Sequence, residues 1–148
     1  MRPQSRSRTQ RKHDALGLLE RERTLWIATV RDDQAAHLIP LAFVWDGITI
    51  TIGTAVESPT GRSLNRTGRA RVAVGHAHDL VIVEGPVTTV PPTRIDPALA
   101  DKFARVSLDP RNMPGYAYFQ LTPNLVQAWR SFAEYRGRTL MRDGRWLE

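Results

Sequence analysis

The chain contains no cysteine among its 148 residues. This absence excludes disulfides, iron–sulfur clusters, thiolate metal sites and cysteine nucleophiles. No apolar run reaches the ~18 residues that a membrane-spanning helix requires, so we expect no membrane span. The charged first residues are not followed by an apolar segment, and we therefore expect no signal peptide and a cytoplasmic protein.

Several catalytic signatures are also missing. The sequence has no G-x-S-x-G nucleophile motif, no Walker A motif and no G-x-G-x-x-G after a strand, which argues against hydrolase, P-loop and Rossmann chemistry. The one cluster typical of metal ligands is His76-Ala77-His78-Asp79. Alternate strand residues share a face, so the two imidazoles could chelate a metal. The segment is typical of a turn and lacks a third ligand, so we predict no metal site.

Positive charge is concentrated at the N-terminus. Lysine and arginine total 21 against 15 acidic residues, and five of these bases but no acid lie in residues 1–13. We predict a basic, solvated tail over residues 1–13, dispensable for the fold, and one domain over residues 14–148. Such a tail could also touch nucleic acid or anionic lipid. Because no aromatic side chains accompany the bases, we do not expect nucleic acid as a partner.

The rest of the chain alternates between strand and turn signals. We predict strands over residues 24–31, 36–45, 48–54, 70–75, 80–90 and 116–130, and a hairpin over 138–147. Short helices are predicted from Asp14, over 58–65 and over 96–106. Within 48–54, Ile48, Ile50 and Ile52 are expected to share one face. Six or seven antiparallel strands with a few short helices indicate a mainly β (α+β) fold, a closed or partly closed barrel.

One candidate binding segment is an apolar strand that contains Pro40. Proline lacks the N–H that a sheet ladder needs, which confines its strand to an edge or a bulge. The backbone groups of Ile39 and Leu41 could then serve a ligand. The alternative is a plain edge strand.

A second candidate is the helix start at Ser58. Ser58 is a plausible N-cap, and Pro59 suits the first helical position. The free N–H groups of a helix start attract anions, and the hydroxyls of Ser58 and Thr60 with the Arg62 guanidinium would add donors for a phosphate. The alternative is a solvated helix start that binds only water.

The order of these segments resembles a known family. The stretches that carry the resemblance are TLWIATVRDDQAAHLIPLAFVWDGITITIGTAVESPTGRSLNRTGRARVAV, DLVIVEGPV and YAYFQLTPNLVQAWR. They are similar to the split β-barrel flavin and deazaflavin oxidoreductases, the pyridoxamine 5′-phosphate oxidase-like superfamily. The resemblance implies a six- to seven-stranded split barrel and a homodimer that binds FMN or coenzyme F420 in two grooves at the subunit interface. Some members of the family bind haem or lack activity.

Positions carried over from the family define an expected cofactor site. The resemblance implies that the ring lies along residues 37–41, and that the ribityl phosphate lies at the strand end and helix start. The residues so implied are His37, Ile39, Pro40 and Leu41 for the ring, Thr54, Ser58, Thr60, Gly61 and Arg62 for the phosphate, and Trp129 and Arg130 contributed by the partner subunit. Where many relatives have Ser-x-Lys at the phosphate, this chain has Ser58-Pro59-Thr60.

The resemblance implies a flavin- or deazaflavin-dependent oxidoreductase that transfers a hydride between the cofactor and a small conjugated organic substrate. The cofactor carries the hydride, so such a fold requires no acid–base motif of its own. His37 and Tyr118 are candidate proton donors, or each is simply a structural barrel residue. The alternative function is a flavin or haem carrier or sensor of the same fold without turnover.

Overall fold

The computed structural model describes residues 4–148, and within them the chain forms four α-helices, ten strands and one 3₁₀ turn. The helices span Arg8–Arg21 (α1), Pro59–Thr67 (α2), Pro97–Ala104 (α3) and Phe132–Tyr135 (α4), and the 3₁₀ turn spans Pro110–Asn112. The strands span Thr24–Val30 (β1), Ala36–Ala42 (β2), Val44–Trp45 (β3), Ile50–Ala55 (β4), Arg69–His76 (β5), Asp79–Val90 (β6), Tyr116–Leu121 (β7), Leu125–Trp129 (β8), Thr139–Arg142 (β9) and Arg145–Trp146 (β10). Among these described helices, none is both long enough and apolar enough to cross a membrane.

One long strand, β6, joins two sheets of antiparallel strands. Its first part pairs with β5 and β8, and its last four residues, 87–90, pair with β7. One sheet has the order β10-β9-β8-β6-β5-β1-β2, and the other has β7 and β4 followed by β3. The result is an antiparallel sheet curled into a half-barrel with a few short helices, which confirms the predicted fold class.

The strand count is higher than predicted because two long runs are each divided. The run 36–45 is interrupted at Phe43, and the run 116–130 is interrupted between β7 and β8. At the second break the chain crosses β6 beside Gly85, where an added Cβ would lie 1.9 Å from the Thr122 carbonyl oxygen. The Thr122 N–H donates to the Pro86 carbonyl at 3.0 Å. Only glycine permits this approach, and the crossing lets β7 and β8 pair with different parts of β6.

Two apolar clusters cover both faces of β4. Ile50 and Ile52 lie in the main core inside the half-barrel, and α3 covers the opposite face through a second cluster. Thr51 is fully buried for this reason. The prediction that Ile48 shares the face of Ile50 and Ile52 is wrong, because Ile48 is 71% exposed and precedes the strand. It lies in a turn held by the Asp46 carboxylate, which accepts its N–H at 2.8 Å.

The N-terminal segment packs against the domain. Helix α1 begins at Arg8, and Ser7 is its N-cap. The predicted helix start at Asp14 is therefore wrong, and the predicted domain boundary at residue 13 falls within α1. Buried Arg11 donates to the Gly137 carbonyl. Most of residues 4–13 are exposed, as predicted, but half-buried Arg6 and buried Arg11 anchor the segment to the domain, so it is not a free tail. That the segment is dispensable for the fold stays a prediction, and residues 1–3 lie outside the described residues. The local excess of positive charge did not predict this helix, because the partners of its arginines lie elsewhere in the chain.

The main partner is Glu134, a fully buried carboxylate in α4. The Arg6 guanidinium donates to both of its oxygens, at 2.7 and 2.9 Å, and the backbone N–H groups of Arg6 and Arg130 each donate at 2.8 Å. Arg6 also pairs with Asp14 at 2.9 Å. The Arg6 guanidinium, followed by the two backbone donors, lowers the pKa of Glu134 to about 2. The pair joins the segment before α1 to α4.

We expect Glu134→Gln to lower the free energy of unfolding at pH 7 by about 2–3 kcal/mol. The pKa of Glu134 is lower in the folded chain than its ordinary 4.5, so the ionised carboxylate stabilises the fold above about pH 4.5. This contribution is lost as the pH falls toward 2, and the difference between variant and wild type should shrink accordingly. Urea unfolding across this range measures it. Glu20→Gln, at an exposed glutamate, is the control, and an equal effect of both variants would contradict the prediction.

Candidate functional site

The half-barrel is open between β2 and β4. β2 is the last strand of its sheet and pairs only with β1 among the described strands, while β4 pairs with β3 and β7. β2 and β4 come close to each other, but no backbone ladder joins them. Pro40 lies on this edge strand, opposite Trp26 of β1. The edge position predicted from Pro40 is therefore present, and we call the gap between the edge of β2 and β4 the groove.

The side chains of β2 alternate between the two faces of the sheet. Ile39 and Leu41 are half-buried and pack against the main core. His37 points to the same face and lies opposite Thr29 of β1. The Thr29 hydroxyl is buried and has no hydrogen-bond partner among the described residues. His37 thus lies at the end of the groove next to an unsatisfied hydroxyl.

The predicted helix start is present, and its own hydrogen bonds occupy most of its donors. Ser58 is the N-cap: its hydroxyl accepts from the Gly61 N–H at 3.0 Å and donates to the Ala55 carbonyl at 2.7 Å. Thr54 lies 3.3 Å from the same hydroxyl. Pro59 has no N–H, and the Arg62 N–H already bonds to the Ser58 carbonyl. The backbone donor left in the first turn is that of Thr60.

Two further hydroxyls of α2 are fully buried without a partner in the described part of the chain, those of Thr60 and Ser63. α2 packs against β1 and β4, so these groups and the Thr29 hydroxyl belong to neighbouring elements. Buried polar groups nearly always have a hydrogen-bond partner, and the described contacts give these three hydroxyls none. Thr60 is among the site residues predicted from the sequence, and Thr29 and Ser63 are not; the spacing of Thr60 and Ser63 on one helix face was the available signal.

Arg62 makes intramolecular contacts. Its guanidinium lies 3.6 Å from the Asp32 carboxylate and donates to the Glu57 carbonyl at 3.3 Å. It borders a cleft of about 320 Å³ lined by Arg31, Asp32, Asp33, Pro59 and Arg62. Asp32 and Asp33 lie in a turn between the strands predicted over 24–31 and 36–45, and nothing in the sequence indicated that they approach Arg62. That turn lies beside α2 because β1 and β2 form a hairpin next to the helix, which a linear pattern does not reveal.

Tyr118 lies apart from the groove. It is fully buried beneath α3 in the second cluster, opposite Gly53 of β4, with its ring edge-on to Phe103 at 5.6 Å. Its hydroxyl has no partner among the described residues, and burial, followed by the charge of Asp109, raises the pKa of Tyr118. This environment is that of a packed core residue, so the structure does not bring Tyr118 to the groove with His37.

Trp129 and Arg130 are held by their own chain. The Trp129 ring is edge-on to Tyr135 with centroids 5.6 Å apart. The Arg130 guanidinium contacts Asp79 at 3.1 Å and Asp14 at 3.5 Å. These contacts fix both residues at the end of β8, and their contribution to a partner's cofactor stays a prediction.

The two histidines considered as metal ligands lie at the turn between β5 and β6. The His78 N–H donates to His76 Nδ1 at 3.2 Å, which occupies one potential ligand atom. No group of three potential metal ligands occurs within residues 4–148.

The residues of this region fit the ring of a flavin-type cofactor. The open edge of β2 offers backbone groups to a planar ring. Thr60 and Ser63 are fully buried, so their hydroxyls and the free Thr60 N–H are enclosed and do not line the groove. The Arg62 side chain is half-exposed, 3.6 Å from Asp32, and is the charged group that the start of α2 offers a phosphate.

We expect Gly61→Ala to destabilise the protein and Gly17→Ala to stabilise it. A Cβ at Gly61 would lie 2.2 Å from the Ala55 carbonyl oxygen, so the helix start must separate from β4, whereas Gly17 in α1 has nothing within 4 Å of its added Cβ. The helical preference of alanine over glycine is worth roughly 0.5–1 kcal/mol, and the Gly61 clash should exceed this gain. Thermal unfolding of both variants measures the effect, and stabilisation by Gly61→Ala would contradict it.

Comparison with known proteins agrees with this architecture. The family model described as "Pyridoxamine 5'-phosphate oxidase" matches residues 12–130. Among curated proteins, no sequence matches the chain. Solved structures that share the fold include general stress protein 26 from Bacillus anthracis str. Sterne, with 22% identity over 80% of this chain and 92% of that chain and a TM-score of 0.66. An F420 reductase has 22% identity over 74% of this chain and 93% of that chain, with a TM-score of 0.60. A pyridoxamine 5′-phosphate oxidase-related, FMN-binding protein from Nostoc punctiforme PCC 73102 has 14% identity over 81% of this chain and 80% of that chain, with a TM-score of 0.53. Since the family model covers most of the chain, this protein belongs to the pyridoxamine 5′-phosphate oxidase family.

Proposed function

We propose that this protein is an oxidoreductase that holds FMN or coenzyme F420 in the groove between β2 and β4 and acts on a small conjugated organic substrate. The observation that carries the proposal is the unpaired edge of β2, which contains Pro40 and lies near β4, the strand that leads into the capped start of α2. Family membership supports a flavin-type cofactor, and the neighbours include an F420 reductase and an FMN-binding protein. When bound, such a cofactor supplies a ring that accepts or donates a hydride.

The chain's own residues would bind and orient this ring. Backbone groups of His37, Ile39 and Leu41 border the groove, while the apolar side chains of Ile39 and Leu41 secure the strand against the core. Thr54 and Ser58 maintain the turn into α2 through their paired hydroxyls. With Tyr118 buried under α3, His37 is the remaining candidate for a proton donor to the substrate.

The alternative is a carrier or sensor without turnover, and one observation favours it: of the two candidate proton donors, one is enclosed in the core. An enzyme and a carrier differ in the rate at which a substrate reoxidises the reduced cofactor that they bind. Small quinones and enones should reoxidise cofactor bound to an enzyme faster than free cofactor, and a carrier should give no acceleration.

We further propose a homodimer formed through the outer face of β1 and β2. The outward positions of these strands carry no charge, with Trp26 49% exposed and Leu38 62% exposed on either side of Pro40. Exposed apolar patches on an edge strand normally have a partner. An uncharged patch is complementary to itself, and a second copy lying on it would cover the open side of the groove.

We expect Leu38→Lys to convert the dimer to a monomer, because the lysine would place a charge within the apolar contact. Leu108→Lys is the matched control, since Leu108 is 69% exposed but follows α3 and lies outside the patch. Light scattering at micromolar concentration gives the mass. A monomeric wild type, or a dimer that survives Leu38→Lys, would contradict the prediction.

We expect the wild type to bind FMN or coenzyme F420 with one cofactor per chain, measured by titration of the ring fluorescence. Leu38→Lys should weaken binding by about tenfold or more, because the groove loses its cover, and Leu108→Lys should bind like the wild type. Absence of binding by both cofactors would refute the proposed function. Equal binding by Leu38→Lys would show that the groove is complete in one chain.

A further inference from the structure

We infer that a cleft beside α1 is a second ligand site, and that it takes a small amphipathic carboxylate, an apolar body with one negative charge. The cleft, called the α1 cleft below, has a volume of about 360 Å³ and lies at the beginning of β4, whereas the start of α2 follows the end of that strand. Its lining contains no residue of β2 or β4. It is therefore separate from the groove, and the inference does not depend on the proposed function.

The wall of the α1 cleft is largely apolar. Lys12, Leu16 and Leu19 recur at helical spacing and share one face of α1. Apolar side chains of β3, the turn after it, β8, β9 and β10 complete the wall: Trp45, Ile48, Val126, Met141 and Trp146. Ile48 is 71% exposed, and Leu16 and Trp146 are half-buried, so apolar surface of the cleft is open to solvent. The volume lies within the range of roughly 300–1,000 Å³ that is typical of small-molecule sites.

One cation accompanies this apolar wall. Among the described residues that line the α1 cleft, Lys12 is the one with a charged side chain. Its ammonium lies 4.6 Å from the centre of the Trp146 ring. Within residues 4–148 it forms no salt bridge, whereas Lys102 pairs with Glu20 at 3.8 Å. An unpaired ammonium beside an aromatic ring and an apolar wall is complementary to a carboxylate that is attached to an apolar body.

A second cleft adjoins the first at Lys12. It has a volume of about 350 Å³, shares Lys12 and Trp146 with the α1 cleft, and adds Arg8 and Glu148 as charged residues. Arg8 donates to the main-chain oxygen of Glu148, so these two residues contact each other. Lys12 is thus the cation of this region that has no acidic partner in the described part of the chain.

Two further acids adjoin residues of the lining in the chain. The Asp46 carboxylate accepts from the N–H groups of Ile48 and Thr49 at 2.8 and 2.6 Å, and from the Thr49 hydroxyl at 2.9 Å. Asp143 lies in the β9–β10 turn between two arginines. Since neither carboxylate forms a salt bridge with Lys12, a bound carboxylate would be its first acidic partner within residues 4–148.

The probes 2-naphthoate and 2-naphthamide test the site, because they share one ring system and differ in charge. We expect the wild type to bind 2-naphthoate with a Kd below about 1 mM and to prefer it to the amide about fivefold at low ionic strength. Because salt screens the contact with Lys12, the preference should fall below about twofold in roughly 0.5 M salt. Isothermal titration measures both affinities. The inference is overturned by an absence of 2-naphthoate binding, by equal affinity for the two probes, or by a preference that salt leaves unchanged.

Two variants locate the probe. Lys12→Gln removes the cation and should lower 2-naphthoate affinity about fivefold without changing that of the amide, whereas Arg94→Gln removes a charge from an exposed loop and should have no effect. Ile48→Ala removes exposed apolar surface from the rim and should weaken both probes about threefold, and Leu108→Ala, at an exposed leucine after α3, should weaken neither. Unchanged binding in a folded Lys12→Gln or Ile48→Ala variant overturns the inference. If Lys12→Gln does not fold, the salt dependence of the wild type decides.

Discussion

The groove of this protein depends on a single close approach between backbones at Gly85. There the chain leaving β7 crosses β6, and a side chain at this position would overlap the Thr122 carbonyl. The crossing divides β6 between two sheets, so β1 and β2 end one sheet while β3 and β4 belong to the other. The two sheets separate between β2 and β4, and this separation is the open side of the half-barrel. The groove is thus a consequence of the sheet topology. The side chains along it do not create the opening.

A second constraint acts at the start of α2. Gly61 lets the helix rest on the carbonyl groups at the end of β4, and Ser58 closes the turn with its hydroxyl. These contacts place the helix beside the β1–β2 hairpin, so that Arg62 lies 3.6 Å from Asp32. The packing that positions the start of α2 therefore also decides which charges surround it.

Much of this architecture was predictable because it follows from local sequence patterns. The edge position of β2 follows from Pro40, since a missing N–H has the same consequence in any sheet, and the cap of α2 follows from Ser58 and Pro59. The order of the strands and its resemblance to the family predicted the fold, which the structure confirms, and a flavin-type cofactor, which is supported at the level of the family. Local patterns failed where partners are distant. Arg6 and Arg11 resemble part of a solvated tail in the sequence because their partners, Glu134 and the Gly137 carbonyl, lie more than a hundred residues away.

The sequence by itself determined the strands, the turns, the helix cap and the exclusion of cysteine, P-loop and Rossmann chemistry, because each depends on residues that are neighbours in the chain. Only the tertiary structure decided which charges meet and which side chains are enclosed. Tyr118 and His37 look equally suitable in the sequence, yet α3 covers one and the groove reaches the other. Arg62 reads as a free cation until the hairpin brings Asp32 beside it. Electrostatic roles depend on distances through space, and these are fixed only when the sheet has curled and the helices have packed against it.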